Sequence, residues 1–111
     1  MAIPHAHPGQ VIEVLPFGSR LPNERTAALF KANNLEVMRL VLHAGKSLPS
    51  HKVPGEITIH CLEGVLSVSA EGIDHVLRAG QLVYLPANVV HSVLAMESAS
   101  ALVTIALVKQ A

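Results

Sequence analysis

Gly45-Lys46-Ser47-Leu48-Pro49-Ser50-His51-Lys52-Val53-Pro54-Gly55-Glu56-Ile57-Thr58-Ile59-His60-Cys61-Leu62-Glu63-Gly64 is the stretch whose reading decides the fold. It has a shorter counterpart in Gly80-Gln81-Leu82-Val83-Tyr84-Leu85-Pro86-Ala87-Asn88-Val89-Val90-His91-Ser92-Val93. Each begins at a glycine and passes a proline before it reaches a histidine. The glycines and prolines are turn residues, and the apolar runs beside them have the length of strands.

The same rhythm extends in both directions. Candidate strands fall at 11–15, 26–31, 35–43, 57–62, 64–69, 73–78, 82–85, 89–96 and 101–108. Breaks stand at Pro16-Phe17-Gly18, Asn33-Asn34, Ala44-Gly45, Pro54-Gly55, Glu63-Gly64, Glu71-Gly72, Ala79-Gly80 and Pro86-Ala87-Asn88. Alternation supports the strands: Met38, Leu40 and Leu42 share one face, with Arg39 and His43 on the other. In the same way Ile73, His75 and Leu77 oppose Asp74, Val76 and Arg78. Residues 24–31 also suit a short helix by propensity, although a strand is preferred. Many short strands at close spacing predict an all-β sandwich or barrel. Residues 1–10 carry two prolines, a glycine and two histidines without a period, and are expected to form an arm. Residues 11–111 are expected to form a single domain.

Composition narrows the function classes. Half of the 111 residues are hydrophobic, yet the only aromatics are Phe17, Phe30 and Tyr84. The core must therefore be built from Val, Leu, Ile and Ala, of which Val and Ile favour strands. Eight basic and eight acidic side chains cancel. No Lys/Arg cluster is present to neutralise phosphates, so nucleic acid is not the expected partner. No apolar stretch approaches the roughly 20 residues of a spanning helix, so no membrane association is expected. The N-terminal residues lack the pattern of a signal peptide, and a cytoplasmic location is the expectation. A single cysteine, Cys61, excludes an intrachain disulfide. Few charges and a positive mean hydropathy predict apolar surface left over for a homodimer.

The two quoted stretches resemble the paired motifs of the cupin superfamily, G-x5-H-x-H-x3/4-E-x6-G and G-x5-P-x-G-x2-H-x3-N. Gly45, His51 and Gly64 fit the first, and Gly80, Pro86 and His91 fit the second. The resemblance covers residues 35–108 and implies an all-β cupin barrel, the double-stranded β-helix or jelly roll. It also implies a metal centre, held in the family by two His and one Glu from the first motif and one His from the second. Here the second His position is Val53 and the Glu position is Ile57.

His60 and Glu56 are nearby substitutes whose orientation depends on strand parity, since a one-residue slip exchanges the faces. In one phase Ile57, Ile59 and Cys61 line a dry interior; in the other Glu56, Thr58 and His60 make a polar pocket. Small members with a His-x-x-Pro-Gly stretch, which His51–Gly55 resembles, often carry a polar residue at the position of His60. The candidate metal site is thus His51, His60 and His91, with Zn, Fe, Mn or Ni as the ion.

Other polar residues carry blander expectations. His43 and His75 are read as solvent-facing or rim residues, His5 and His7 as a solvated tail, and Glu63 as a surface turn residue. Cys61 is read as a small core residue and Tyr84 as a core or interface tyrosine. Two functions remain open. One is a metal-dependent cupin acting on a small molecule; the other is a metal-free module that senses or stores a small-molecule ligand without catalysis.

Overall fold

The computed structural model describes residues 5–108. Seven strands follow one another: β1 (Ala27–Lys31), β2 (Leu35–Leu42), β3 (Ser47–His51), β4 (Ile57–Ala70), β5 (Ile73–Arg78), β6 (Leu82–Leu85) and β7 (His91–Ala106). A 3₁₀ helix at Gly18–Asn23 precedes them. All pairings are antiparallel.

Two long strands organise the molecule. The first half of β4 lies between β6 and the second half of β7, and β2 and β1 continue that layer. The second half of β4 lies between β5 and the first half of β7, with β3 beyond. β4 and β7 therefore pass from one layer to the other. Their register shifts between Cys61 and Leu66, the mark of β-bulges that bend a sheet.

Gly64 makes this bend possible. Its φ is +78°, and a Cβ at this position would lie 2.0 Å from the Ser98 carbonyl oxygen. Only glycine fits both the left-handed conformation and the close approach. The bulge also switches parity along β4. Ile57, Ile59 and Cys61 face the core before it, and Leu66, Val68 and Ala70 face the core after it. Leu40, Leu42, Leu77, Leu85, Val93, Ala101 and Val103 complete an interior without a single aromatic ring.

The structure departs from the sequence expectation in several places. Residues 57–62 and 64–69 are one strand rather than two, because Gly64 bulges the chain instead of turning it. The runs at 89–96 and 101–108 likewise merge into β7, which continues through Glu97 and Ser98. Residues 11–15 form no strand. The Leu15 carbonyl accepts instead from the Arg39 guanidinium. β3 was not expected: Ser47, Pro49, Ser50 and His51 have weak strand propensity, and Pro49 is tolerated because β3 pairs on one side only. Residues 24–31 yield the strand β1 and no α-helix.

Of the expected arm, residues 1–4 lie outside the described residues, as do 109–111 of the domain. Ala6 donates its N–H to the Leu29 carbonyl at 2.8 Å, so the described part of the arm is tied to β1. Among the described residues no helix is long and apolar enough to cross a membrane.

Candidate functional site

β3 and β7 bring His51 and His91 directly opposite each other in register. Their ring centroids are 4.4 Å apart with the planes tilted by 54°. The two residues are 40 positions apart in the chain, and only the closure of the barrel joins them. His91 is 2 % exposed, whereas His51, on the edge strand, is open to solvent.

Each ring is held in the same way. His51 Nδ1 lies 3.0 Å from the Pro49 carbonyl oxygen, and His91 Nδ1 lies 3.0 Å from that of Val89. A carbonyl only accepts, so both Nδ1 atoms carry the proton and both Nε2 atoms keep a lone pair in the neutral rings. Such a backbone contact fixes tautomer and ring orientation together.

Around this pair the wall is apolar. Across the layer from His51 and His91 come Ala70 and Ile73 in the same register row. The next row inward reads Leu48, Val93, Val68 and His75. His75 is half-buried and shares its face with the fully buried Val68. It was expected at the rim or in solvent; it belongs to the inner face. The signal was available in the alternation of Ile73, His75 and Leu77, since Leu77 is a core residue.

The parity of β4 decides the third candidate. Ile57, Ile59 and Cys61 are buried in the core, so Thr58 and His60 point to the outer face, away from it. His60 sits in register with Leu82 and Leu102 and does not join His51 and His91. The three-imidazole set therefore does not assemble. Glu56 is exposed and accepts a hydrogen bond from the Tyr84 hydroxyl at 3.0 Å. That bond favours the protonated phenol and pushes Tyr84 above its ordinary pKa. Tyr84 thus lies on the outside, away from the pair.

A metal centre of the family type needs three or four protein donors. This chain offers two imidazole nitrogens, while Ile57 is 4 % exposed in the apolar core and Val53 packs against it. No group of three or more His, Cys, Asp or Glu is placed to hold an ion among the described residues. The donor set does not fit a resident catalytic metal. Cys61 offers no substitute: burial pushes its thiol pKa up, and its S–H donates to the carbonyl oxygens of Glu63 and Gly64.

Glu63, expected at a surface turn, is instead the centre of a polar cluster on the outer face. Its carboxylate accepts from the Phe17 N–H at 2.8 Å, the Gly18 N–H at 3.0 Å and the Ser100 hydroxyl. It also pairs with Arg39, itself only 4 % exposed. A separate cleft of about 380 Å³ lies between the arm and β1, lined by His7, Gln10, Ile12, Phe30 and Lys31 among others, and contains neither His51 nor His91.

A bent antiparallel barrel with a histidine pair at its mouth defines the class, and comparison with known proteins agrees. The family model described as "Cupin domain" matches residues 38–108, and the chain belongs to this family. Among solved structures, a conserved protein of unknown function from Streptococcus pyogenes, SPY1581, superposes with a TM-score of 0.76 at 18 % identity, covering 99 % of this chain and 97 % of its own. An RmlC-like cupin from Desulfovibrio desulfuricans gives 0.68 at 25 % identity, covering 92 % and 97 %. The DMSP lyase DddQ from Ruegeria pomeroyi gives 0.68 at 23 % identity, covering 78 % of this chain and 48 % of the lyase. No curated protein matches the chain significantly.

Proposed function

We propose that this cupin binds a small molecule at the mouth of its barrel without a resident metal, and that His51 and His91 are its polar contacts. The observation that carries the reading is the free Nε2 on both rings beside donor positions filled by Val53 and Ile57. Two neighbouring acceptors at an apolar mouth suit a ligand that presents a hydroxyl, amide or protonated acid to the imidazoles. Its apolar body would meet the accessible Leu48 and Ile73 at the rim, since Val68 and Val93 are buried in the core. The apolar residues beside the pair favour holding a ligand, and binding is the reading offered.

The test is to purify untagged protein, offer it Zn, Fe, Mn and Ni in turn, and measure the metal retained after desalting. Substoichiometric retention is expected. Near-stoichiometric metal that is lost in the His51→Ala and His91→Ala variants would overturn the reading and restore the metal-dependent one. A screen of small hydroxylated and acidic fragments, read on the imidazole NMR signals, should then give hits confined to these two rings.

The partner we propose is a second copy of the chain. The outer face of β4, β6 and β7 carries Leu82 (56 % exposed), Tyr84 (53 %) and half-buried Leu102, with His60 between them. An antiparallel sheet facing water would show polar residues in these positions. Thr58, His60, Leu82, Tyr84, Leu102 and Thr104 are uncharged; the charge beside them is the exposed Glu56 on the Tyr84 hydroxyl and Arg39, buried at the end of the Leu102 row, so the centre of the face can meet its own copy. Leu82→Glu is expected to convert a dimer to a monomer in light scattering; a wild type that is monomeric at all concentrations overturns this.

A further inference from the structure

The geometry points to Glu63 as a charge-operated latch that holds the N-terminal strap, residues 15–18, over the outer face of β2 and β7. The strap has no strand pairing of its own. It is held by four interactions that converge on two side chains. The Glu63 carboxylate accepts the N–H groups of Phe17 and Gly18, one on each oxygen. Arg39 donates to the Leu15 carbonyl at 2.8 Å and lies 4.0 Å beneath the Phe17 ring. Arg39 is held in turn by Glu63 and by the Ser100 hydroxyl at 3.0 Å.

The carboxylate is the hub. As an anion it accepts at every contact, and two backbone N–H groups, a hydroxyl and a guanidinium all donate to it. Once protonated it has one acceptor fewer for these donors, the Ser100 hydroxyl being the one partner that can accept its O–H, and the ion pair with Arg39 is lost. Arg39 stays charged in either case, and its Nε already lacks a partner. The charged and titratable groups around the latch are few. Arg39 comes from β2 and the Cys61 thiol from β4, and Arg20 and Glu24 of the strap side act on Arg39 from further out. Burial alone would raise the Glu63 pKa. The donors Ser100, Phe17 and Gly18 and the Arg39 charge outweigh it and hold the group below the usual carboxylate range. The latch is therefore closed at neutral pH and opens as pH falls through that lowered value. Opening bares Arg39, and a surface that was neutral and covered becomes cationic.

Amide hydrogen exchange on the full chain, followed residue by residue by NMR, tests this. Glu63→Gln at neutral pH is expected to cut protection at Phe17 and Gly18 by about tenfold or more, with Val68 and Val93 in the core unchanged. Unchanged protection at Phe17 and Gly18, or an equal loss throughout the barrel, overturns the latch. Ser100→Ala removes a neutral donor and keeps the charge, so its loss should be smaller; an equal or larger loss overturns charge as the operative factor. The wild type supplies a measurement independent of any variant. After correction for intrinsic exchange, protection at Phe17 and Gly18 should fall on acidification before that of the core, and coincident loss overturns the proposal.

Discussion

Two polar clusters sit on this apolar barrel, and they treat their hydrogen-bonding capacity in opposite ways. Around Glu63 nearly every donor and acceptor finds a partner within the chain. At the mouth, His51 and His91 each spend one nitrogen on the backbone and leave the other free. A satisfied cluster holds structure together; a cluster with unused lone pairs is built to meet something else. The first should therefore fail as stability and the second as binding, and substitutions can separate the two.

The largest effect is expected from Arg39→Met. It strands the Glu63 carboxylate under the strap and removes the stacking on Phe17, at a cost of about 3 kcal/mol in urea denaturation. Gly64→Ala should follow at about 2 kcal/mol or more, because the added methyl meets the Ser98 carbonyl in a left-handed backbone. An unaffected Gly64→Ala protein would show that the bend between the layers is more compliant than its geometry implies.

At the mouth the order reverses. His51→Ala should leave stability within about 0.5 kcal/mol, since the side chain is exposed, yet abolish the response to fragments. His91→Ala should cost about 1–2 kcal/mol for the buried ring and lose the same response. If His51→Ala destabilises as much as Arg39→Met, the contrast between the two clusters collapses. The smallest effect concerns Tyr84, the only tyrosine. Glu56→Gln should bring its titration back down toward the ordinary value, measured by tyrosinate absorbance, with no change in folding.

Much of this fold was legible because its turns are written in glycine and proline. The spacing of Gly45, His51, Gly80, Pro86 and His91 located both halves of the site before any strand was paired. What stayed hidden depended on long-range geometry. Gly64 reads the same whether it turns a chain or bulges it, and the choice decides whether β4 is one strand or two. The orientation of His60 was a question of parity, which local sequence leaves open and the burial of Ile57, Ile59 and Cys61 answers. Glu63 looked like a surface acid because its partners, Phe17, Arg39 and Ser100, lie 46, 24 and 37 residues away. The one hint was an arginine set within the apolar run Met38-Arg39-Leu40-Val41-Leu42.

The parity switch along β4 has a consequence for changes in chain length. Deleting or inserting one residue between Cys61 and Leu66 would turn the second half of the strand inside out. Ser67 and Ser69 would be driven into the apolar core, and Leu66 and Val68 would be moved out of it to the opposite face. The hairpin tip at Glu71-Gly72, a few positions away, faces no such constraint and can absorb an added residue at little cost. Tolerance to insertion should thus change abruptly within ten residues of a single strand, from nearly none to nearly complete.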